Sequence, residues 1–157
     1  MAIVHEMLYQ SDNLSKINYY LYLKELVNYL ITSMKGKDAE INLEINVTDI
    51  NLSIDTAVPL GLLINEIITN SLKYAFPSNH GSIFISINKN QKDNTDDTLF
   101  HMNIGDNGIG YAGDINFDNS KSLGMKLIKS LSRQLGGGII KDDVAQGTHY
   151  TLTFEEI

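Results

Sequence analysis

Apolar residues alternate with polar ones over several short segments of the chain. In the clearest of these, Ile41, Leu43, Ile45 and Val47 are each followed by a polar residue. This alternation predicts a strand with one buried and one solvated face. The same pattern predicts further strands at Ile50–Ile54, Ser82–Asn88 and Thr98–Gly105, and a closing hairpin of Gly138–Lys141 and Thr148–Phe154.

Elsewhere the apolar residues recur at the spacing that is typical of helices. The pattern predicts the end of a helix at Ile3–Gln10 and complete amphipathic helices at Tyr19–Met34, Leu62–Phe76 and Leu123–Leu135. Pro59 is expected to precede the second complete helix and Pro77 to end it, since proline interrupts helices. The predicted apolar stripe of the last helix consists of Leu127, Ile128 and Leu131.

The strands alternate rather than run continuously apolar, so the sheet is expected to be covered on one face only. Strands and helices intermixed along the chain then predict an α+β fold, a two-layer α/β sandwich with helices on one face of the sheet. A length of 157 residues suits one domain that buries a core without the help of disulfides or metals.

Composition excludes several classes of function. A net charge of −7 argues against a general nucleic-acid or anionic-membrane surface. The chain has no cysteine, which excludes disulfides and thiolate metal sites. No apolar run approaches the ~18 residues that span a bilayer, and the start MAIVHEMLYQ lacks a signal-peptide pattern. We therefore expect a soluble chain in the cytoplasm.

The predicted helix Leu62–Phe76 has a polar face as well as an apolar one. Its apolar stripe comprises Ile64, Ile68, Leu72, Ala75 and Phe76. On the opposite side, Glu66, Asn70, Lys73 and Tyr74 are spaced i, i+4, i+7 and i+8, so their side chains can converge. An acid, an amide, a cation and an aromatic ring suit a metal–phosphate group, although a solvated face is the simpler interpretation of this helix alone.

Asp106 belongs to the apolar side of its strand. The other residues of that side are Phe100, Met102 and Ile104. The carboxylate is therefore expected to point into the interior, where it needs a hydrogen-bond donor. If the protein supplies none, a ligand amine such as the exocyclic group of adenine would satisfy it, and Gly108 and Gly110 would let the backbone approach a flat base. Taken alone, Asn107-Gly108 is better interpreted as a hairpin turn.

Weaker signals follow in the last third of the chain. Gly124 lies in the first turn of a predicted helix, where unpaired backbone N–H groups can bind a phosphate or be capped in the ordinary way. The preceding segment Tyr111–Lys121 is polar and rich in small residues, which suits a mobile cover over a nucleotide or a plain surface loop. Thr148 follows a glycine and is placed either to reach a base or simply to follow a turn.

The order of these elements resembles the GHKL ATPase superfamily, and most closely the ATP-binding domain of sensor histidine kinases. NEIITNSLKYAF resembles the N box, DNGIG the G1 box, SLGMKLI the G2 box and QGTHYTLTF the closing motif. The resemblance covers about Ile41–Phe154. It implies the Bergerat fold, with a mixed sheet covered by helices on one face.

The N-terminal part extends this resemblance. HEMLYQSDNLSKINYYLYLKELV is similar to the region that joins the second type of histidine-kinase dimerisation segment to the ATP domain. The resemblance implies connector helices at residues 1–35, the C-terminal remnant of the dimerisation segment, and an ATP-binding catalytic domain at residues 36–157.

The resemblance also implies roles for single residues, with ATP and Mg²⁺ as cofactors. Asn70 would coordinate Mg²⁺, a hard-oxygen site that keeps several waters. Glu66 would polarise the incoming nucleophile or a metal-bound water, so Glu66 and Asn70 are the implied catalytic residues. Lys73 would contact phosphate, Tyr74 would lie near the base or ribose, and Asp106 would accept from the adenine amine. The residues implied to shape the pocket and the phosphate-binding turn are Gly108, Gly110, Gly124 and Met125, with Thr148 at the base.

The phosphoacceptor is harder to place. The candidates are His5, His80, His101 and His149. His80 is expected in a turn, and the strand parity of His101 and His149 is opposite to that of the core, so all three are expected at the surface. His5-Glu6 resembles the acceptor dipeptide of the commoner kinase type but falls where the resembled subfamily has a helix end. We therefore expect a fragment whose acceptor histidine lies before Met1.

The implied partners are the dimerisation segment of the same kinase and a downstream response regulator, without nucleic acid or membrane contact, and the full-length protein is expected to be a homodimer. One alternative is a regulatory binding module of the same fold, such as an anti-sigma factor that phosphorylates a serine. Another is the ATPase of a gyrase, chaperone or mismatch-repair clamp, which would need a longer lid and a transducer domain. The plainest alternative is an α/β domain that binds nothing.

Overall fold

The computed structural model describes residues 16–91, 98–109 and 123–156. The predicted helix end at Ile3–Gln10 lies outside these residues. In chain order the elements are β1 (Ile17–Asn18), α1 (Tyr19–Lys35), β2 (Glu40–Val47), β3 (Asn51–Leu52), α2 (Ile54–Tyr74), β4 (His80–Gln91), β5 (Thr98–Asp106), α3 (Leu123–Gln134), β6 (Gly138–Lys141) and β7 (Thr148–Glu155).

The main sheet has five strands in the order β2-β4-β5-β7-β6. β2 runs parallel to β4, and the other neighbouring pairs are antiparallel. The predicted closing hairpin β6–β7 is therefore present, β4 and β5 also pair antiparallel, and the sheet is mixed. A separate two-stranded sheet joins β1 to β3.

One face of the main sheet packs against the helices. On β7 the core-facing residues Thr148, Tyr150, Leu152 and Phe154 are buried, and the residues between them are half-buried. In the register of β5 and β7, Phe100 lies opposite Phe154, and the two rings stack with centroids 4.9 Å apart. The predicted α+β fold with helices on one face of the sheet is confirmed.

The start of α2 corrects two predictions. Of the expected strand Ile50–Ile54, only Asn51–Leu52 pairs with another strand. Ile54 is instead the first residue of the helix, because the Ser53 carbonyl accepts a hydrogen bond from the Ala57 N–H at 2.8 Å. The prediction that Pro59 precedes the helix is also wrong. Pro59 lies in the second turn, where it removes one backbone hydrogen bond, and its ring is buried in the core.

The prediction that Leu127 of α3 faces the core is also wrong. Leu127 is 37% exposed, whereas Ile128 and Leu131 are buried as expected. The residues of this helix that face the core are Met125, Ile128, Leu131 and Ser132, with Leu135 just beyond its end. These residues follow the spacing of one helix face, and Leu127 lies at the edge of that face.

α1 packs into the same core as the sheet. Seven of its residues are buried there: Tyr19, Tyr22, Leu23, Leu26, Val27, Leu30 and Ile31. The Tyr19 hydroxyl donates to the Ala57 carbonyl at 3.0 Å, and the Tyr22 ring lies against Gly61, where a Cβ would overlap the phenol oxygen. Burial raises the pKa of Tyr22 to about 12. The division at residues 35 and 36 stays a prediction.

Within the described part of the chain, none of the helices combines the length and the apolar character that crossing a bilayer requires.

Candidate functional site

The polar face of α2 is partly accessible to solvent. Glu66 and Asn70 are half-buried, whereas Lys73 is exposed and Tyr74 is 58% exposed. The predicted apolar stripe on the other side is buried: Ile64, Ile68, Leu72, Ala75 and Phe76. The helix therefore anchors itself by one face and presents polar side chains from the other.

A pocket opens where α2 faces β5 and β7. Its lining consists of Ile67, Asn70, Ser71, Tyr74, Ala75, Asp106, Thr148 and Tyr150. Four of the residues singled out in the sequence, Asn70, Tyr74, Asp106 and Thr148, thus lie around one space. Asp106 and Thr148 are register partners in the β5–β7 ladder, so strand pairing brings them together across 42 residues of sequence.

Asp106 lies at the floor of this pocket and is 3% exposed, which confirms the predicted inward orientation. The protein itself supplies donors to both oxygens. The Ser71 hydroxyl donates to Oδ2 at 2.5 Å, and the Gly108 N–H donates to Oδ1 at 3.0 Å. A carboxylate has about four acceptor positions, so the pair of donors leaves acceptor capacity toward the pocket.

The segment after Asp106 is held by close packing. The Ile109 N–H donates to the Ala75 carbonyl at 3.0 Å, and a Cβ on Gly108 would overlap Ala75. The structure thus requires a glycine at position 108 for contact with the end of α2. That Gly108 also lies against a base stays a prediction, and Gly110 lies outside the described residues.

Asn107 and Gln146 form a connection that the sequence interpretation missed. The Asn107 side-chain oxygen accepts from the Ser82 N–H at 2.7 Å, and the Gln146 amide donates to the Asn107 carbonyl at 2.8 Å. Gly147, at φ 81°, packs directly against the Asp106 backbone, which leaves no room for a Cβ. These contacts tie the start of β7 to the end of β5 below the pocket.

The N-terminus of α3 meets the polar face of α2. A Cβ built on Gly124 would lie 3.2 Å from Glu66 Oε2 and 3.9 Å from Asn70 Nδ2. The structure therefore brings Glu66, Asn70 and Gly124 together, whereas Met125 is buried in the core. The expected cover Tyr111–Lys121 lies outside the described residues.

A magnesium ion would have few protein ligands here. Among residues 16–91, 98–109 and 123–156, no three His, Cys, Asp or Glu side chains are grouped as a metal cage. The donors beside the Gly124 turn are the Asn70 amide and the Glu66 carboxylate. Such a sparse oxygen set suits Mg²⁺, which keeps waters and is usually shared with substrate phosphates.

The described histidines lie away from this pocket's lining. His80 is exposed, and it is the first residue of β4, opposite Glu40, rather than part of the expected turn. His101 and His149 are half-buried on the sheet face opposite the core, and His149 Nδ1 lies 3.1 Å from Asp142 Oδ2. His5 lies outside the described residues.

Ser71 is the functional candidate that sequence reasoning missed most clearly. It is 6% exposed and bonds to Asp106. The sequence did contain a sign that Ser71 is buried, because it lies three residues after Ile68 and seven after Ile64, on the buried side of α2. A buried hydroxyl needs a partner, and the sequence alone does not identify that partner.

Comparison with known proteins gives a consistent result. Residues 55–156 match the family described as histidine kinase-, DNA gyrase B- and HSP90-like ATPase, and residues 1–34 match a family described as histidine kinase. Blue-light-activated histidine kinase 2 of Erythrobacter litoralis (strain HTCC2594) is 24% identical over 136 residues, which are 80% of this chain and 38% of that protein. The chain therefore spans well under half the length of this curated relative.

Solved structures share the fold at low identity. The histidine kinase domain of a blue-light-activated histidine kinase from Erythrobacter litoralis superposes with a TM-score of 0.73 at 20% identity, over 97% of this chain and 69% of that one. The catalytic domain of the histidine kinase ThkA gives a TM-score of 0.64 at 13% identity, over 90% of this chain and 95% of that one.

Proposed function

The chain belongs to the histidine kinase-, DNA gyrase B- and HSP90-like ATPase family, and we propose that it binds ATP with Mg²⁺ and donates the γ-phosphoryl group to a histidine outside this chain. The observation that supports this proposal is the convergence of Asn70, Tyr74, Asp106 and Thr148 on one pocket. That pocket adjoins the place where the N-terminus of α3 meets Glu66.

The base would be selected by the floor of the pocket. Asp106 is buried and retains acceptor capacity after bonding to Ser71 and Gly108. An exocyclic amine supplies the donor that such an acceptor requires, whereas a carbonyl at the same place would leave two acceptors facing each other. Tyr74 lines the same pocket and offers a ring beside the base or ribose.

The phosphates would lie toward the N-terminus of α3. Backbone N–H groups of a first helical turn carry partial positive charge and bind phosphate oxygens. The missing side chain of Gly124 lets this turn lie close to Glu66, since a Cβ there would be 3.2 Å from Glu66 Oε2. Bound Mg²⁺ would supply charge neutralisation among the phosphate oxygens. Asn70 is the proposed ligand, with Glu66 acting through a water or on the incoming nucleophile, and exposed Lys73 is free to reach a phosphate.

The whole protein would be a homodimeric sensor kinase in the cytoplasm. In this proposal residues 1–35 are connector helices from the dimerisation segment, residues 36–157 are the catalytic domain, and a response regulator receives the phosphoryl group. The match of residues 1–34 to a histidine kinase family supports this arrangement. A regulatory serine kinase of the anti-sigma type remains the second candidate, and phosphate on a serine rather than a histidine would distinguish it.

Calorimetry with ATP and GTP, each with and without Mg²⁺, tests the binding half of the proposal. ATP should bind more tightly than GTP, and equal affinities would remove the adenine assignment. Asp106→Asn should weaken ATP binding by roughly 1–3 kcal/mol, the cost of leaving a buried polar group unpaired. Asp38→Asn, at an exposed position, is the matched control and should leave both affinities unchanged.

A further inference from the structure

Ser71 occupies an unusual position for a helical serine. It is 6% exposed, it lines the pocket, and its hydroxyl bonds to the Asp106 carboxylate rather than to its own helix backbone. Ser132 provides a comparison within the chain. It is also buried in a helix, but its hydroxyl donates to the Lys129 carbonyl one turn earlier, the local bond that helical serines commonly make.

The direction of the Ser71–Asp106 bond follows from chemistry. An ionised carboxylate only accepts hydrogen bonds, and a serine hydroxyl has a single proton. At 2.5 Å between Ser71 Oγ and Asp106 Oδ2, that proton is committed to Asp106. The remaining Ser71 lone pairs can only accept, so Ser71 and Asp106 together present acceptors alone to the pocket.

The same bond holds the carboxylate in one orientation. Oδ2 is held by Ser71 from α2, and Oδ1 is held by the Gly108 N–H from the segment after β5. With both oxygens held, rotation of the carboxylate would break two hydrogen bonds. A charge-assisted bond from a hydroxyl is among the stronger hydrogen bonds in proteins, so the loss of Ser71 would leave Asp106 held on one side only.

We propose that Ser71 is a positioning residue that sets the specificity of the nucleotide pocket for a 6-amino purine over a 6-oxo purine, an inference that rests on the proposed ATP binding. It acts through Asp106, by fixing the carboxylate and by directing its own hydroxyl proton to that carboxylate rather than to the base. A 6-amino group would donate to the Asp106 carboxylate that Ser71 holds, whereas a 6-carbonyl at the same place would face that acceptor and be repelled.

This role can be tested by measuring the affinity of the full chain for three nucleotides. They are ATP, inosine triphosphate, which has a 6-carbonyl, and purine riboside triphosphate, which has no 6-substituent. Ser71→Ala should weaken ATP binding about tenfold and leave the other two within about twofold, so that discrimination falls about tenfold. Ser132→Ala is the matched control and should preserve the discrimination. An equal loss for all three nucleotides, or unchanged discrimination, would overturn the role of Ser71.

A double-mutant cycle separates positioning from general destabilisation. If Ser71 acts through Asp106, Ser71→Ala should cost no further ATP affinity in an Asp106→Asn background. Additive losses would mean that Ser71 acts elsewhere, and would also overturn the proposal. If the wild-type chain binds none of the three nucleotides, the proposed function and this inference are both overturned. If the wild-type chain binds ATP and Ser71→Ala leaves its affinities unchanged, this inference alone is overturned.

Discussion

At the scale of single side chains, the candidate site depends on two half-buried residues of α2, Glu66 and Asn70. Asn70 lines the pocket, and its Nδ2 lies within reach of the Gly124 turn together with Glu66 Oε2. The amide and the carboxylate are therefore adjacent, and they belong to a sparse set of proposed metal ligands. In such a site one side chain can decide whether a magnesium ion contributes to nucleotide affinity.

Replacing Asn70 tests that dependence. Asn70→Ala should abolish the enhancement of ATP binding by Mg²⁺ while the chain stays folded, because the proposed oxygen ligand is lost from a position that is only half-buried. Calorimetry with and without Mg²⁺ measures the enhancement, and circular dichroism checks the fold. Asn28→Ala, at an exposed position of α1, is the control. If a folded Asn70→Ala variant keeps the full Mg²⁺ enhancement of ATP binding, the role proposed for Asn70 is wrong.

The contact between α1 and α2 shows how elements are joined. The Tyr22 ring lies over Gly61 and stacks on Tyr19 at a centroid distance of 5.0 Å. The Tyr22 hydroxyl is buried, and within the described residues it finds no hydrogen-bond partner. Gly61 thus allows α1 and α2 to approach closely, and the Tyr22 hydroxyl is left without a hydrogen bond.

Two substitutions at this contact should be coupled. Gly61→Ala should destabilise the chain by about 1–2 kcal/mol, because the added methyl displaces the Tyr22 phenol and overpacking outweighs the gain in helix propensity. Tyr22→Phe removes the obstructing oxygen, so it should be near neutral alone and should reduce the cost of Gly61→Ala. Urea unfolding of the two single variants and the double variant measures this. Strictly additive costs would contradict the packing described for Gly61.

Contacts of Glu156 tie together distant parts of the whole chain. Glu156 Oε1 accepts from Lys16 Nζ at 2.6 Å and from the Ser53 N–H at 2.8 Å. It therefore links Lys16, just before β1, and the start of α2 to the end of β7. Partial burial raises the pKa of Glu156, but the bonds from Lys16 and Ser53 outweigh it and lower the pKa below its ordinary 4.5.

This link should make part of the stability depend on pH. Because the folded pKa is below the unfolded value, the stabilisation is complete above about pH 4.5 and is lost as pH falls through the folded pKa. Glu156→Gln should cost less than about 1 kcal/mol at pH 7, since the pair is partly exposed, and a smaller amount at pH 3. Urea unfolding at both pH values measures the difference, with exposed Glu44→Gln as the control. A cost that persists unchanged at pH 3 would contradict the link.

At the scale of the whole molecule, the proposed reaction needs a second segment. Phosphoryl transfer requires the acceptor nitrogen to reach in-line distance from the γ-phosphate. We expect this chain to bind ATP without labelling itself and His5→Ala to change nothing, whereas a separate dimerisation segment with the acceptor histidine becomes labelled in trans. Radiolabelled ATP tests both halves. An acid-labile, base-stable label on this chain that disappears in His5→Ala would make His5 the acceptor.

Periodicity alone determined which faces of the elements are buried. The alternation in β4, β5 and β7 and the apolar stripe of α2 predicted the one-sided sheet and the inward Asp106. This works because a period of two or 3.6 residues reports solvent exposure on each side of an element. The polar side of α2 could likewise be predicted, since Glu66 and Asn70 are spaced by one helical turn.

Only the tertiary structure decided which buried surfaces meet. The Ser71–Asp106 bond joins residues 35 apart, and β3 pairs with β1 rather than with β2. The burial of Pro59 inside α2 and the exposure of Leu127 on α3 depend in the same way on neighbouring elements. Sequence periodicity is a local property, whereas hydrogen-bond partners and packing neighbours are non-local. The Ser71–Asp106 bond in the pocket is therefore a product of the folded chain.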